Sequence, residues 1–209
     1  MPSVKVKIVT PPAVANAFED RVQIAFFFLI ERYGFRVTAC ADARVEFEGS
    51  GVRVAVSLEK RDLYVDISST ESNPQHRTTM GLYELVQCEA ASHETPDEPL
   101  TLPAHTIEAR LQHAAQLLLH HGSRVLSGDF SVRPALLSFR AEEWLQQQYR
   151  AVMQAKRYPS LDGTFAQIKW EYARFQPDHK QAIWRALEHW LKSGDDEKRD
   201  FATRVAEYL

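Results

Sequence analysis

The chain has 209 residues, of which 44 % are apolar and 25 % charged, with a net charge of −3. That length suits one large domain or two small ones, and folding should bury about 70 % of the unfolded surface. Residues 1–104 hold 10 Lys/Arg against 15 Asp/Glu and residues 105–209 hold 15 against 13. Neither half is basic enough to be an electrostatic footprint for nucleic acid.

Val4, Val6 and Ile8 alternate with lysines, which predicts a half-buried strand stopped by Thr10-Pro11-Pro12. Phe18, Val22, Ala25 and Leu29 follow at helical spacing, and Gly34 can close that helix in a left-handed conformation. The run Ala25–Ile30 is apolar nearly all round, so central burial is expected. Four strands come next. Val37 and Ala39, Val45 and Phe47, Val52 through Leu58, and Leu63 through Ile67 each alternate apolar with polar residues. Pairing Ala39 with Val45, Phe47 with Val52 and Leu58 with Leu63 keeps every apolar residue on one face and sets Glu46 opposite Arg53. Met80, Leu82, Leu85 and Val86 predict a short helix.

The polar, proline-rich stretch Ser92–Pro103 reads as a linker or long loop, which predicts a sheet domain at 1–91, a linker at 92–104 and a helical domain at 105–209. Helices are predicted over about His105–Leu126 and Pro134–Arg157, then from Asp162-Gly163-Thr164 through Phe175, from Gln176-Pro177 to Ser193-Gly194 through Ile183 and Leu191, and around Phe201–Tyr208. The expected fold class is therefore α+β: an N-terminal helix on a four- to five-stranded, mainly antiparallel sheet, followed by a helical bundle.

Cys40 and Cys88 have no CxxC or Cys/His spacing around them, so buried structural thiols in a reducing compartment are expected. The opening Met1–Thr10 is unlike a signal peptide, and Val22–Ile30 is shorter than the roughly 20 residues of a membrane span. Both point to a cytoplasmic protein with no membrane partner. His113 and His120 are seven apart on one helix, about 10 Å along its axis, too far to share one ion unaided. They lie opposite the Leu111/Leu118 stripe, so solvent exposure and no metal are expected. The sequence has no GxSxG elbow, phosphate-binding glycine loop or GxGxxG, so neither catalytic residues nor a cofactor are expected.

Binding residues remain as candidates. The polar sheet face carries Glu46, Glu48, Arg53, Tyr64 and Asp66. In the second half, Trp144 and Trp170 lie off the main apolar stripes of their helices, near Tyr149 and Arg174 in sequence. Packing within the bundle is the expectation for both tryptophans, with anchoring of a partner as the alternative.

Glu31-Arg32-Tyr33-Gly34-Phe35 at a helix end, then Arg44-Val45-Glu46-Phe47-Glu48, Val52–Leu58 and Leu63–Ser68 carry a resemblance. From Phe18 to about Val86 the chain resembles a loose class of small bacterial proteins, many uncharacterised and some read as toxin-immunity proteins. The resemblance covers a third of the chain, and the helical second half departs from it. It implies a binding protein without catalytic machinery, often acidic, that acts by occluding a protein partner. The alternatives are a structural or homo-oligomerising subunit of a larger assembly and, third, an enzyme with an unrecognised site.

Overall fold

The computed structural model describes residues 18–41, 43–71, 77–90, 106–155 and 161–209. The strand predicted at Val4–Ile8 and the linker predicted at 92–104 lie outside them. No helix among the described residues is long and apolar enough to cross a membrane.

The first helical stretch forms as two segments, α1 (Phe18–Ala25) and α2 (Phe27–Tyr33), joined at Phe26 with φ −98° and ψ 16°. Gly34 ends α2 at φ 69°, where its amide donates to the carbonyls of Leu29 and Ile30. Left-handed geometry without a Cβ clash is what this stop requires. Val22, Phe26 and Leu29 are fully buried, yet Ile24 and Phe27 are each more than half exposed. Central burial thus holds for one side of the stretch only.

Five antiparallel strands follow in the order β1-β2-β3-β4-β5: β1 (Arg36–Ala41), β2 (Arg44–Gly49), β3 (Val52–Glu59), β4 (Asp62–Ser69) and β5 (Thr79–Gly81). Val45, Phe47, Val52, Val54, Val56, Val65 and Ile67 are buried, as their alternation predicts. Phe26 brings its ring to 6.3 Å from that of Phe47. The β3–β4 register is the expected one, Leu58 opposite Leu63.

Two registers differ from expectation. Gly49 pairs with Val52 across the two-residue turn Ser50-Gly51, so Phe47 faces Val54 and Glu48, not Glu46, faces Arg53. Ser50 and Gly51 adopt φ 51° and 74°, the doubly positive geometry that matches the twist of the flanking strands. This displacement is two residues, so every side chain keeps its face. Between β1 and β2, Val37 pairs with Phe47, but an irregularity before Ala39 puts Ala39 opposite Glu46 and Cys40 opposite Val45. The bulge turns Ala39 onto the outer face, while Cys40 stays on the helix side, 3.8 Å from Gln23 Nε2, and is exposed on the edge strand; the burial expected of both fails.

Met80 belongs to β5, and the predicted short helix is α3 (Leu82–Ala90). Next come α4 (Ile107–His121) and α5 (Ser123–Leu126). Thr106 caps α4, its hydroxyl accepting from the Ala109 amide. Leu111, Ala114, Ala115 and Leu118 form the buried face of α4. The chain packs as two compact units, Met1–Phe130 and Ser131–Leu209. The helices of 107–126 therefore belong with the sheet, because α4 packs on α1, α3 and β4. The expected division at 92–104 moves to Phe130/Ser131.

The second unit consists of α6 (Arg133–Ala155), α7 (Leu161–Ala173), α8 (Pro177–Leu191) and α9 (Asp196–Tyr208). Pro177 opens α8 at a position where its missing N–H costs nothing, and Asp195 caps α9 by accepting from the Lys198 amide. Leu145, Ile168, Ile183, Leu187, Ala202 and Val205 are fully buried in one core.

His179 on α8 adds a pH dependence to this unit. Its ring stacks near Phe175, with centroids 4.3 Å apart, and its Nε2 is enclosed without a hydrogen-bond partner among the described residues. Burial and the Arg140 guanidinium hold its pKa below the usual imidazole value, with Asp178 opposing. A depressed histidine contributes stability above its unfolded pKa that is lost as pH falls through the folded value. As pH falls below about 6.5 the unit should therefore lose stability with a slope of at most one proton. Urea midpoints measured across that range should flatten in His179→Leu, and an unchanged slope would remove His179 as the cause.

Candidate functional site

The outer sheet face is built in cross-strand rows. One row runs Arg36, Glu48, Arg53, Ser68, Thr79, and the next runs Ala39, Glu46, Ala55, Asp66, Gly81. Glu48 thus stands between two arginines. Glu46 binds Arg44 at 2.8 Å and lies 3.8 Å from Arg53 Nε. Such partly exposed pairs contribute little stability, but they fix the carboxylates in place.

The face is not uniformly open. Ala55 and Ser57 are 3 % and 6 % exposed although they point outward. Both are small and lie on the central strand, with Glu46 and Asp66 flanking Ala55 and Arg44 and Tyr64 flanking Ser57. Tall neighbours shade short ones, so apolar–polar alternation fails at β3.

Asp66 differs from Glu46 and Glu48. Its cross-strand neighbours are Ala55 and Gly81, which offer it no side-chain donor. Burial raises its pKa, Glu84 and Glu59 raise it further, and Arg44 opposes them. Arg44 donates to Glu46, so among the described residues Asp66 is a half-buried carboxyl that shares its nearest cationic influence with Glu46.

Beside Asp66 the sheet stops short. β5 pairs only with Asp66, Ile67 and Ser68, after which the chain turns at Gly81 into α3. Among the described residues, Asp62–Val65 have no strand on that side. That stretch is about 13 Å of edge. A groove of about 200 Å³ lies along it, lined by Leu63, Tyr64, Val65 and Asp66 on β4, by Gly81–Tyr83, and by His113, Ala114 and Leu117 on α4. α4 also reaches the far end, where Arg110 donates to the Arg61 carbonyl. Tyr64 is 45 % exposed at the groove's outer lip. His113, expected in solvent, is half-buried there with its Nε2 enclosed and unpartnered among the described residues.

Tyr64 and Asp66 were legible as candidates from strand alternation. Tyr83, His113 and Leu117 were not, because they join the groove from helices far along the chain. Small-molecule sites usually hold about 300–1,000 Å³, so this groove suits one or two side chains better than a cofactor. No group of three or more His, Cys, Asp or Glu among the described residues is placed to hold a metal ion.

The second unit's candidates separate. Trp144 is 8 % exposed, donates its indole N–H to Glu171 and meets Phe175 edge-on. Tyr149 packs against Trp190 and Phe201 and donates to Glu197. Both serve the core. Trp170 is 60 % exposed, and the Arg174 guanidinium lies 4.4 Å from its ring centroid. The expectation that Trp170 packs within the bundle therefore fails, and Trp170 with Arg174 is a surface pair.

No protein-family model, curated protein or solved structure matches the chain.

Proposed function

We infer that the chain is a cytoplasmic protein-binding module, immunity-like in acting by occlusion, and that its partner sits on the first unit at the outer sheet face and the end of β4 that no described strand covers. The observation that carries this reading is that, among the described residues, β4 is incompletely paired beside a largely apolar groove that holds the half-buried Asp66 carboxyl. Exposed strand edges are templates for pairing with another chain, and proteins usually shield them. The acidic excess of residues 1–104 supports a basic partner, because complementary charge raises encounter rates.

Site-specific photo-cross-linking tests the reading. A photoreactive phenylalanine at Tyr64 should trap a protein partner in native-host extract, and the same group at Arg204 on α9 should not. Purified partner should bind the Glu46→Ala, Glu48→Ala, Asp66→Ala triple variant at least tenfold more weakly. Equal affinity of triple variant and parent would rule out this face.

A second reading, an oligomerising subunit, draws on Ile24 and Phe27, which expose apolar surface on the helices over the sheet. A stable, concentration-independent oligomer in light scattering, abolished by Ile24→Lys with Phe27→Lys, would favour it.

A further inference from the structure

We propose that the β4 groove takes an extended peptide segment as an added strand, one that alternates a basic with an aliphatic side chain. The inference rests on the protein-binding reading and adds the chemistry of the segment recognised.

The argument begins with the backbone. A strand laid beside Asp62–Val65 would continue the line on which β5 ends, at the usual spacing of about 4.8 Å from β4. Its side chains would then alternate between the two faces of the sheet. On the inner side they meet Leu63, Val65 and the Ala114/Leu117 face of α4, which favours an aliphatic residue. On the outer side they meet Tyr64 and Asp66. There three carboxyl groups, Asp66, Glu84 and Glu59, stand against the one guanidinium of Arg44, which acts on Asp66 more strongly than either glutamate but is shared with Glu46. Lysine or arginine fits that position, with its stem along Tyr64 and its charge at Asp66. Arg61 and Arg110 stand at the opposite end of the edge, linked through the Arg61 carbonyl, so the preference for a cation belongs to the Asp66 end. Main-chain pairing supplies affinity and the alternating pockets supply selectivity.

The probe is an eight-residue peptide alternating lysine and valine, with a glutamate–valine peptide of equal length as its counterpart. In fluorescence anisotropy the full chain should bind the lysine peptide at least tenfold more tightly. Amide chemical shifts should move at Leu63–Asp66, and Asp66→Asn should weaken binding at least fivefold. Glu71→Gln removes the same charge from an exposed position and should change affinity by less than twofold. Equal binding of the two peptides, shift changes confined to other residues, or equal losses in the two variants would each overturn the proposal. The chain's own Val4–Ile8 has the same alternation. Peptide binding seen only after removal of residues 1–10 would overturn the proposal in favour of that segment. A partner cross-linked through Tyr64 that contributes no extended basic segment would end this inference and leave the protein-binding reading standing.

Discussion

Replacing Trp190 with alanine is expected to destabilise the helical unit by about 3–5 kcal/mol, the range for removing a large buried aromatic side chain. Trp190 is 2 % exposed at the meeting of α6, α8 and α9. Tyr149 and Phe201 approach its ring with centroids 5.9 and 5.8 Å away, and the Lys198 ammonium lies 5.1 Å from its centroid. Its indole N–H donates to Glu142 at 2.7 Å. Truncation therefore leaves a cavity, strips two rings of a neighbour and deprives a part-buried carboxylate of its donor. Trp190→Phe separates these effects, since it retains most of the packing and loses the hydrogen bond. Its expected cost is about 1–3 kcal/mol, as for a bond to a charged acceptor. Urea titration with amide exchange read in α6, α8 and α9 checks both. A cost below about 1 kcal/mol for the alanine variant would mean that the core does not close around this ring.

Phe47→Ala should destabilise the sheet unit by a comparable 3–5 kcal/mol. Phe47 is fully buried, sits between Val37 and Val54 in the ladder and faces Phe26 from the helix above. Loss of exchange protection should spread through β2, β3 and α1. Glu48 on the same strand points outward, and Glu48→Ala should cost less than about 1 kcal/mol, because it removes no core contact. If the two variants cost the same, the assignment of inner and outer faces is wrong.

That face assignment was the part of the fold most legible in the sequence, and its survival has a physical reason. The Phe47/Val52 pairing was displaced by two residues, and a displacement of two leaves period-2 faces unchanged. The turn itself was harder to read. Ser50 takes a positive φ that glycine or asparagine more often signals, so a longer loop was the natural expectation. Nothing local announces the irregularity between Val37 and Ala39.

Helices were placed to within a few residues, yet their outward faces were not. Trp144 and Trp170 have similar sequence surroundings, and only tertiary packing decides that one donates to Glu171 in the core and the other faces solvent. Likewise α4, predicted as the start of the helical domain, carries a stripe that fits either unit, and its contacts assign it to the sheet. The candidate groove was half legible for the same reason: its strand residues follow from alternation, while its helical wall depends on that assignment.

The irregularity in β1 bears on how readily sheets of this kind stack edge to edge. A regular outer strand invites endless stacking, one molecule's rim docking on the next. Among the described residues, one rim is bent by its extra residue and so makes a poor template, while the other offers a straight stretch of four residues. The two rims are mismatched in both shape and length. A sheet so finished gives a second copy little length along which to extend a fibre.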